Sequence, residues 1–347
     1  MARADVTVRG AGIFGLSVAW ACARRGARVR LIAAEGLGRG ASAGLVGALA
    51  PHVPESWNPL KQFQLESLLL AADWWAAVQA KGGADPGYLR SGRVQPLADA
   101  AAVDLARGRI AGARAHWGAA ADWRVEPATG AEWEPHAPSG WLVRDTLSAR
   151  LSPRAAGQAL VAALRAAGTE VVEGEAAEEG RVVHATGWQG LEALSAAFGR
   201  RLGGGVKGQA ASFRHRAGAL PQIYAGGLHV VPHADGTVAI GSTSETVWET
   251  EAPDAQVDAL IARARALLPC LAGAEVAEGW AGIRPRAASR QLVLGEWPGR
   301  PGHFIANGGF KIGFGMAPKA AEVMADLLLQ GADTVPDGFR VESLLHG

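Results

Sequence analysis

Residues 6–33 constrain this chain more than any other stretch. Val6-Thr7-Val8 reads as a short buried strand, and Gly10-Ala11-Gly12-Ile13-Phe14-Gly15 follows at once. Residues 16–25 then read as a helix closed by Gly26, and residues 29–33 as a second strand. A strand, a G-x-G-x-x-G turn, a helix and a second strand form a βαβ unit built to hold a dinucleotide. Gly10 makes the tight turn, Gly12 lets a pyrophosphate approach the backbone, and Gly15 lets helix and strand pack closely. The helix N-terminus, with Ile13 and Phe14, offers free N–H groups and partial positive charge to that phosphate. A glycine-rich turn alone is weak evidence; here the flanking elements stand in the order the motif requires. An acid normally ends the second strand and holds the adenosine ribose, but that place is Ala33. Glu35, two residues on, either reaches in or is a solvated loop carboxylate. If neither serves, the ribose lacks a charge-assisted hydrogen bond of roughly 1.5–3 kcal/mol.

Composition narrows the rest. A length of 347 residues suggests two domains. Apolar residues at 49% and charged residues at 19% describe a globular chain and exclude a disordered one. Lys plus Arg total 34 against 33 for Asp plus Glu, so no single-sign field is available for nucleic acid or an anionic membrane. Cys22 and Cys270 are too few for a disulfide framework or a cysteine zinc site, and His52, His184 and His303 lack metal-ligand spacing. No metal is therefore expected. The absence of a signal-peptide pattern or a spanning apolar run leads us to expect a soluble, reduced, cytoplasmic protein.

A second glycine loop lies near the other end of the chain. Residues 304–306 read as a strand, Asn307-Gly308-Gly309-Phe310-Lys311-Ile312-Gly313-Phe314-Gly315 as a loop, and residues 317–329 as an amphipathic helix. A glycine loop feeding a helix N-terminus again suits negative charge. A nicotinamide enzyme has no need of a second such loop, so the pair favours FAD over NAD. Residues 153–167 read as a helix with Ser152 as N-cap and Pro153 at its first position, followed by strands at 170–173 and 181–185. Residues 227–232 and 237–241 read as a hairpin across Asp235-Gly236, and residues 262–268 as a helix stopped by Pro269. Trp74 and Trp75 belong to an apolar helix at 65–78 and read as core.

Across nearly its whole length the sequence resembles the D-amino-acid oxidase family of flavoproteins, above all its glycine oxidase branch. The motifs that carry the resemblance are Gly38-Arg39-Gly40-Ala41-Ser42, Val46-Gly47-Ala48-Leu49-Ala50-Pro51, Ala185-Thr186-Gly187-Trp188, Trp280-Ala281-Gly282-Ile283-Arg284-Pro285 and the loop at 307–315. The resemblance implies non-covalent FAD, with Ser42 toward the pyrophosphate, Gly47 and Ala48 along the flavin, and Thr186 and Gly187 passing the cofactor. It puts the adenine contact near Ala177. Residues 308–313, from Gly308 and Gly309 through Phe310, Lys311 and Ile312 to Gly313, would cover the flavin edge where reduced charge collects. Arg284 would form a bidentate pair with the substrate carboxylate, a task suited to its planar fork of donors. His229 stands where the family often has tyrosine, to contact carboxylate or amine or to serve as a structural strand residue. Lys311 stands where glycine oxidases have arginine, beside the flavin or in solvent. Arg286 and Arg290 read as solvated or structural.

The implied reaction is oxidative deamination of a small amino acid or amine. Hydride passes from Cα to flavin N5, and dioxygen reoxidises the flavin to give hydrogen peroxide. No dedicated protein base is needed if the amine binds neutral. Two alternatives stay open: a dehydrogenase using another acceptor, and a catalytically degraded flavin-binding partner protein. Departures from the family pattern include Ala287, Ser289 and Leu292 at its threonine, aspartate and second proline places, and Gly309 at a common histidine.

The expected architecture is α/β: a Rossmann-like FAD-binding domain of glutathione-reductase type, from residues 1–81, 142–205 and 278–347, with an inserted antiparallel-sheet substrate domain from 82–141 and 206–277. The first insert is expected to cap the site, and the second to carry the sheet. Whether the chain forms a homo-oligomer is not legible.

Overall fold

The computed structural model describes residues 3–346, which two large sheets organise. The first has six strands in the order Val293–Glu296, His303–Asn307, Arg181–His184, Val6–Arg9, Val29–Ala33, Glu170–Glu173. All neighbours are parallel except the antiparallel edge strand Val293–Glu296. Val6, Val8, Leu31 and Val183 are fully buried, as strands covered on both faces require. Helix Ile13–Ala23 is apolar all round and almost wholly buried, packed between this sheet and helices Pro153–Ala166 and Gly313–Gln330. Helix Pro59–Gly82 completes that layer, and Trp74 and Trp75 lie in its core as expected. A smaller core of Leu191, Leu194, Ile305 and Val341 covers the opposite face.

Local chemistry explains most boundaries. Ser152 Oγ accepts from the Ala155 N–H, Pro153 opens the helix, and Ala156, Ala159, Leu160, Ala163 and Leu164 form its buried stripe. Helix Pro59–Gly82 is longer than the 65–78 expected, because Asn58 caps it and Gly83, at φ 75°, ends it. The last long helix begins at Gly313, four residues before the sequence suggests. Its glycine-rich first turn reads as loop, and Pro318 stands inside it rather than at its start. Pro318 supplies no helical N–H, and the Lys319 N–H lies 3.2 Å from Ser67 Oγ.

The second sheet has eight strands in the order Glu275–Ala287, Gly203–Arg214, Thr237–Gly241, Leu228–Pro232, Gln222–Ala225, Arg93–Pro96, Trp141–Asp145, Trp123–Pro127. It is antiparallel apart from the Gln222–Ala225/Arg93–Pro96 pair. The hairpin across Asp235-Gly236 is present, with Gly236 at φ 84°. Two details of this sheet bear on the expected division. The first insert is not merely a cap: Arg93–Pro96 and Trp123–Pro127 are strands of this sheet. Sheet membership also crosses the expected domain boundaries. Trp141–Asp145, Gly203–Arg214 and Glu275–Ala287 are each continuous strands of the second sheet, so breaks at 141/142, 205/206 and 277/278 cut through them. The two longest strands run between the lobes with no shift in composition to mark the crossing. Among the described residues no helix is long and apolar enough to cross a membrane.

Candidate active site

Both glycine segments open on one cavity of about 1150 Å³, at the carboxyl ends of the parallel strands. Small-ligand pockets run to roughly 300–1,000 Å³, so this one has room for an extended ligand and a small molecule together. At its N-terminal cradle Gly10 has φ 103°, and a Cβ there would stand 2.3 Å from the Ala185 carbonyl oxygen. A Cβ on Gly15 would stand 1.8 Å from the Gly10 carbonyl oxygen, so Gly15 serves the packing behind the wall. Gly12 precedes the helix with no side-chain cap, and no acid occupies the first turn. Ser42, on the short turn Gly40–Ala43, accepts from the Ile13 N–H at 2.9 Å. A helix end without an N-cap side chain, its first N–H meeting a serine hydroxyl, has the donor chemistry that suits an anion.

Glu35 lies on the wall at the end of the second strand, exposed, and accepts from Gln189 Nε2 at 3.3 Å. Gly47, at φ 64°, and Ala48 form another part of the wall. A Cβ on Gly47 would lie 1.9 Å from the Leu151 carbonyl oxygen, and that residue's N–H returns to the Gly47 oxygen at 3.1 Å. Thr186 and Gly187 line the cavity where helix Gly187–Ala197 begins, and Asn307 Nδ2 donates to the Gly187 oxygen at 2.8 Å. Ala177 is the departure, for it does not reach the wall. Its carbonyl accepts from Arg30 Nη1 at 2.9 Å, and its loop is tied down by ion pairs of Arg9 with Glu175 and Glu178. Arg9, Ala34, Glu35, Gly36 and Arg39 belong to the wall instead.

The C-terminal cradle abuts the first. Gly308 has φ 86°, and its N–H donates to Asn307 Oδ1 at 2.8 Å, behind the wall. Gly309 bridges Arg286, and a Cβ on it would stand 2.4 Å from the Phe14 ring. Phe310 is held at φ 39° with its N–H on the Pro285 oxygen at 3.0 Å. Ile312 then precedes helix Gly313–Gln330, which again starts with no side-chain cap and no acid in its first turn. Two uncapped helix N-termini, from opposite ends of the chain, thus border one cavity.

Three of the expected side chains gather on the wall of this cavity. Arg284, only 9% exposed, crosses above Gly208 of the neighbouring strand and donates from Nη1 to the Thr243 oxygen at 3.1 Å. No carboxylate among the described residues pairs with it. Burial pushes its pKa down to about 10, with Glu245 acting the other way. His229 packs against Tyr224, ring centroids 4.6 Å apart, and its buried Nδ1 has no partner. Burial first, then the charges of Arg93 and Lys311, push it down to about 3, so it is neutral at ordinary pH. Lys311 lies on the wall, its pKa lowered by burial and by Arg284. Sequence reading missed Arg93 and Tyr224, which strand register brings to the wall, and Gly208 and Thr243, which stand against Arg284.

The model of the DAO family, described as FAD dependent oxidoreductase, matches residues 5–327. The chain belongs to this family. Glycine oxidase of Geobacillus kaustophilus is 28% identical over 357 residues, covering 94% of this chain and 93% of that one. Glycine oxidase of Pseudomonas putida is 33% identical over 176 residues, a match spanning about half of each protein (50% and 47%). The crystal structure of the Geobacillus kaustophilus glycine oxidase superposes with a TM-score of 0.84 at 24% identity, over 98% of this chain and 99% of that one, which shows the shared fold.

This FAD-dependent oxidoreductase presents the donors its cofactor needs. The Gly12–Ser42 end suits the pyrophosphate, Gly47 and Ala48 give a wall without bulky side chains, and the Gly309–Gly313 loop offers backbone N–H groups at a helix end. Cys22 is buried in helix Ile13–Ala23, its thiol pushed up to about 12, and neither Cys22 nor Cys270 lines the cavity.

Proposed function

We propose that the enzyme oxidises the C–N bond of a small amino acid, giving an imine that hydrolyses to an oxo acid and ammonia, with electrons passing to dioxygen to form hydrogen peroxide. The observation that carries this reading is Arg284: a buried guanidinium on the wall of an FAD cavity with one neutral hydrogen-bond partner and no carboxylate. A buried charge without an anion is costly, and a substrate carboxylate completes it. Bound FAD supplies the two-electron acceptor for hydride from the substrate Cα. The chain's own residues hold the carboxylate and orient the amine, which is catalysis chiefly by positioning. Neutral His229 keeps one ring N–H and offers the amine its other ring nitrogen as an acceptor. Lys311, its pKa lowered by burial and by Arg284, brings its amine to the wall in the C-terminal loop. The relatives' names, glycine oxidase, favour a small amino acid and dioxygen.

The test is Arg284→Ala in the FAD-loaded enzyme. KM for amino acids is expected to rise at least tenfold while bound flavin and its spectrum stay. Unchanged amino-acid kinetics would remove the clamp from this reading. Peroxide release that tracks oxygen uptake separates an oxidase from a dehydrogenase.

A further inference from the structure

The cavity wall carries a second buried guanidinium. Arg93, 6% exposed, donates from Nε to Asp145 Oδ2 at 2.9 Å. The other oxygen of Asp145 accepts from the Ser148 N–H at 2.8 Å, so the carboxylate grips the guanidinium at one nitrogen only. Both side chains are buried, 7% and 0% exposed. Among the described residues nothing accepts from Arg93 Nη1 or Nη2. The guanidinium carbon lies 5.9 Å from the centroid of Tyr224, which packs against His229, and both rings line the cavity. Arg93 lines the cavity together with His52 and His229. Arg93 thus meets one buried carboxylate, Asp145, behind the wall, while the wall's own acids, Glu35 and Glu251, are exposed. A substrate with one carboxylate uses Arg284 and leaves the free fork of Arg93 unmatched. An orphaned fork of planar donors fits a second carboxylate.

We propose that Arg93, oriented by Asp145, binds a second carboxylate, and that the substrate is an amino dicarboxylate. The inference rests on the function proposed above and names its substrate class. The second acid sits on the side chain or on an N-substituent, and the test distinguishes the two.

The FAD-loaded enzyme is assayed by anaerobic flavin reduction and by kcat/KM. The panel is glycine, both alanine enantiomers, both enantiomers of aspartate and glutamate, and iminodiacetate. At least one diacid is expected to exceed every monoacid tenfold or more in kcat/KM; aspartate or glutamate marks a side-chain acid, iminodiacetate an N-substituent. Removing Arg93 alone strands buried Asp145, so the variant is the pair Arg93→Gln with Asp145→Asn. Its diacid-to-monoacid ratio is expected to fall roughly 10–100-fold, through KM, as loss of a charged hydrogen-bond pair implies. Arg93→Lys is expected to keep part of the preference. Calorimetry of the same loaded protein adds a readout without turnover: glutarate or succinate should bind at least tenfold more tightly than acetate, and the paired variant should lose that difference. Monoacids matching every diacid, or a ratio indifferent to Arg93, would overturn the proposal and leave the proposed oxidase function standing. Failure of every amine to reduce the flavin would overturn both.

Discussion

Arg284 reaches its place because residue 208 is glycine. Val206 pairs with Arg284 and Gly208 with Gly282, so the arginine side chain must cross a strand to reach Thr243. A Cβ on Gly208 would stand 1.7 Å from Arg284 Nη1. Gly208→Ala is therefore expected to displace the guanidinium and lower kcat/KM for carboxylate substrates about 10–100-fold, mostly through KM, with flavin content retained. Steady-state kinetics beside the flavin absorbance checks this. Arg284 itself was legible in the sequence because a strand-like Trp-Ala-Gly-Ile run and a proline bracket it. Gly208, Arg93 and Asp145 were not, because a glycine or a charge inside a strand gains its meaning only from the residue opposite. Ala177 stands off the cavity wall, its carbonyl held by Arg30 and its loop tied by Glu175 and Glu178 to Arg9.

Two elements carry the site. The loop before helix Gly313–Gln330 rests on the first helix through Gly309 and Phe14, a close approach that helps set the two cradles in mutual register. Gly309→Ala is expected to force them apart and weaken FAD binding at least tenfold while the apoprotein stays folded; flavin titration and far-ultraviolet circular dichroism read the two effects. The segment after Thr237–Gly241 is fixed differently. Lys207, 1% exposed, donates to Asp254 at 2.7 Å, and Lys207 and Glu245 form a backbone bridge. This holds Thr243 where Arg284 meets it. Lys207 chiefly, with neighbouring N–H donors, holds the Asp254 carboxyl down at about 2 from its ordinary 3.8. A carboxyl depressed by folding stabilises fully above its ordinary value and loses that effect as pH falls through its folded value. Thermal stability should therefore decline between about pH 4 and about pH 2, and Asp254→Asn should flatten that part of the Tm profile. The glycine loops were readable because their turns demand glycine. The buried lysine latch was not, since a lysine in a strand ordinarily reads as solvent-facing.

At the scale of the molecule, the glycine cradles border the six-stranded, mostly parallel sheet, while Arg284, His229, Tyr224 and Arg93 stand on the eight-stranded, mostly antiparallel sheet. The repeated order of strand, glycine turn and helix made the first lobe legible. The second was legible only from its Asp-Gly hairpin, because the Ala- and Arg-rich first insert shows little apolar alternation, and its helix Ala100–Trp117 buries only Val103, Ala106, Ala113 and Trp117. Long strands Gly203–Arg214 and Glu275–Ala287 join the lobes and deliver Arg284 to the cavity. The central claim is that this cavity pairs FAD with an arginine that reads a substrate carboxylate. Anaerobic titration of the flavin spectrum tests it most directly, comparing amino acids with the amines left when their carboxylate is removed. The account predicts bleaching by at least one amino acid and none by the matching amine; equal bleaching by both would contradict it.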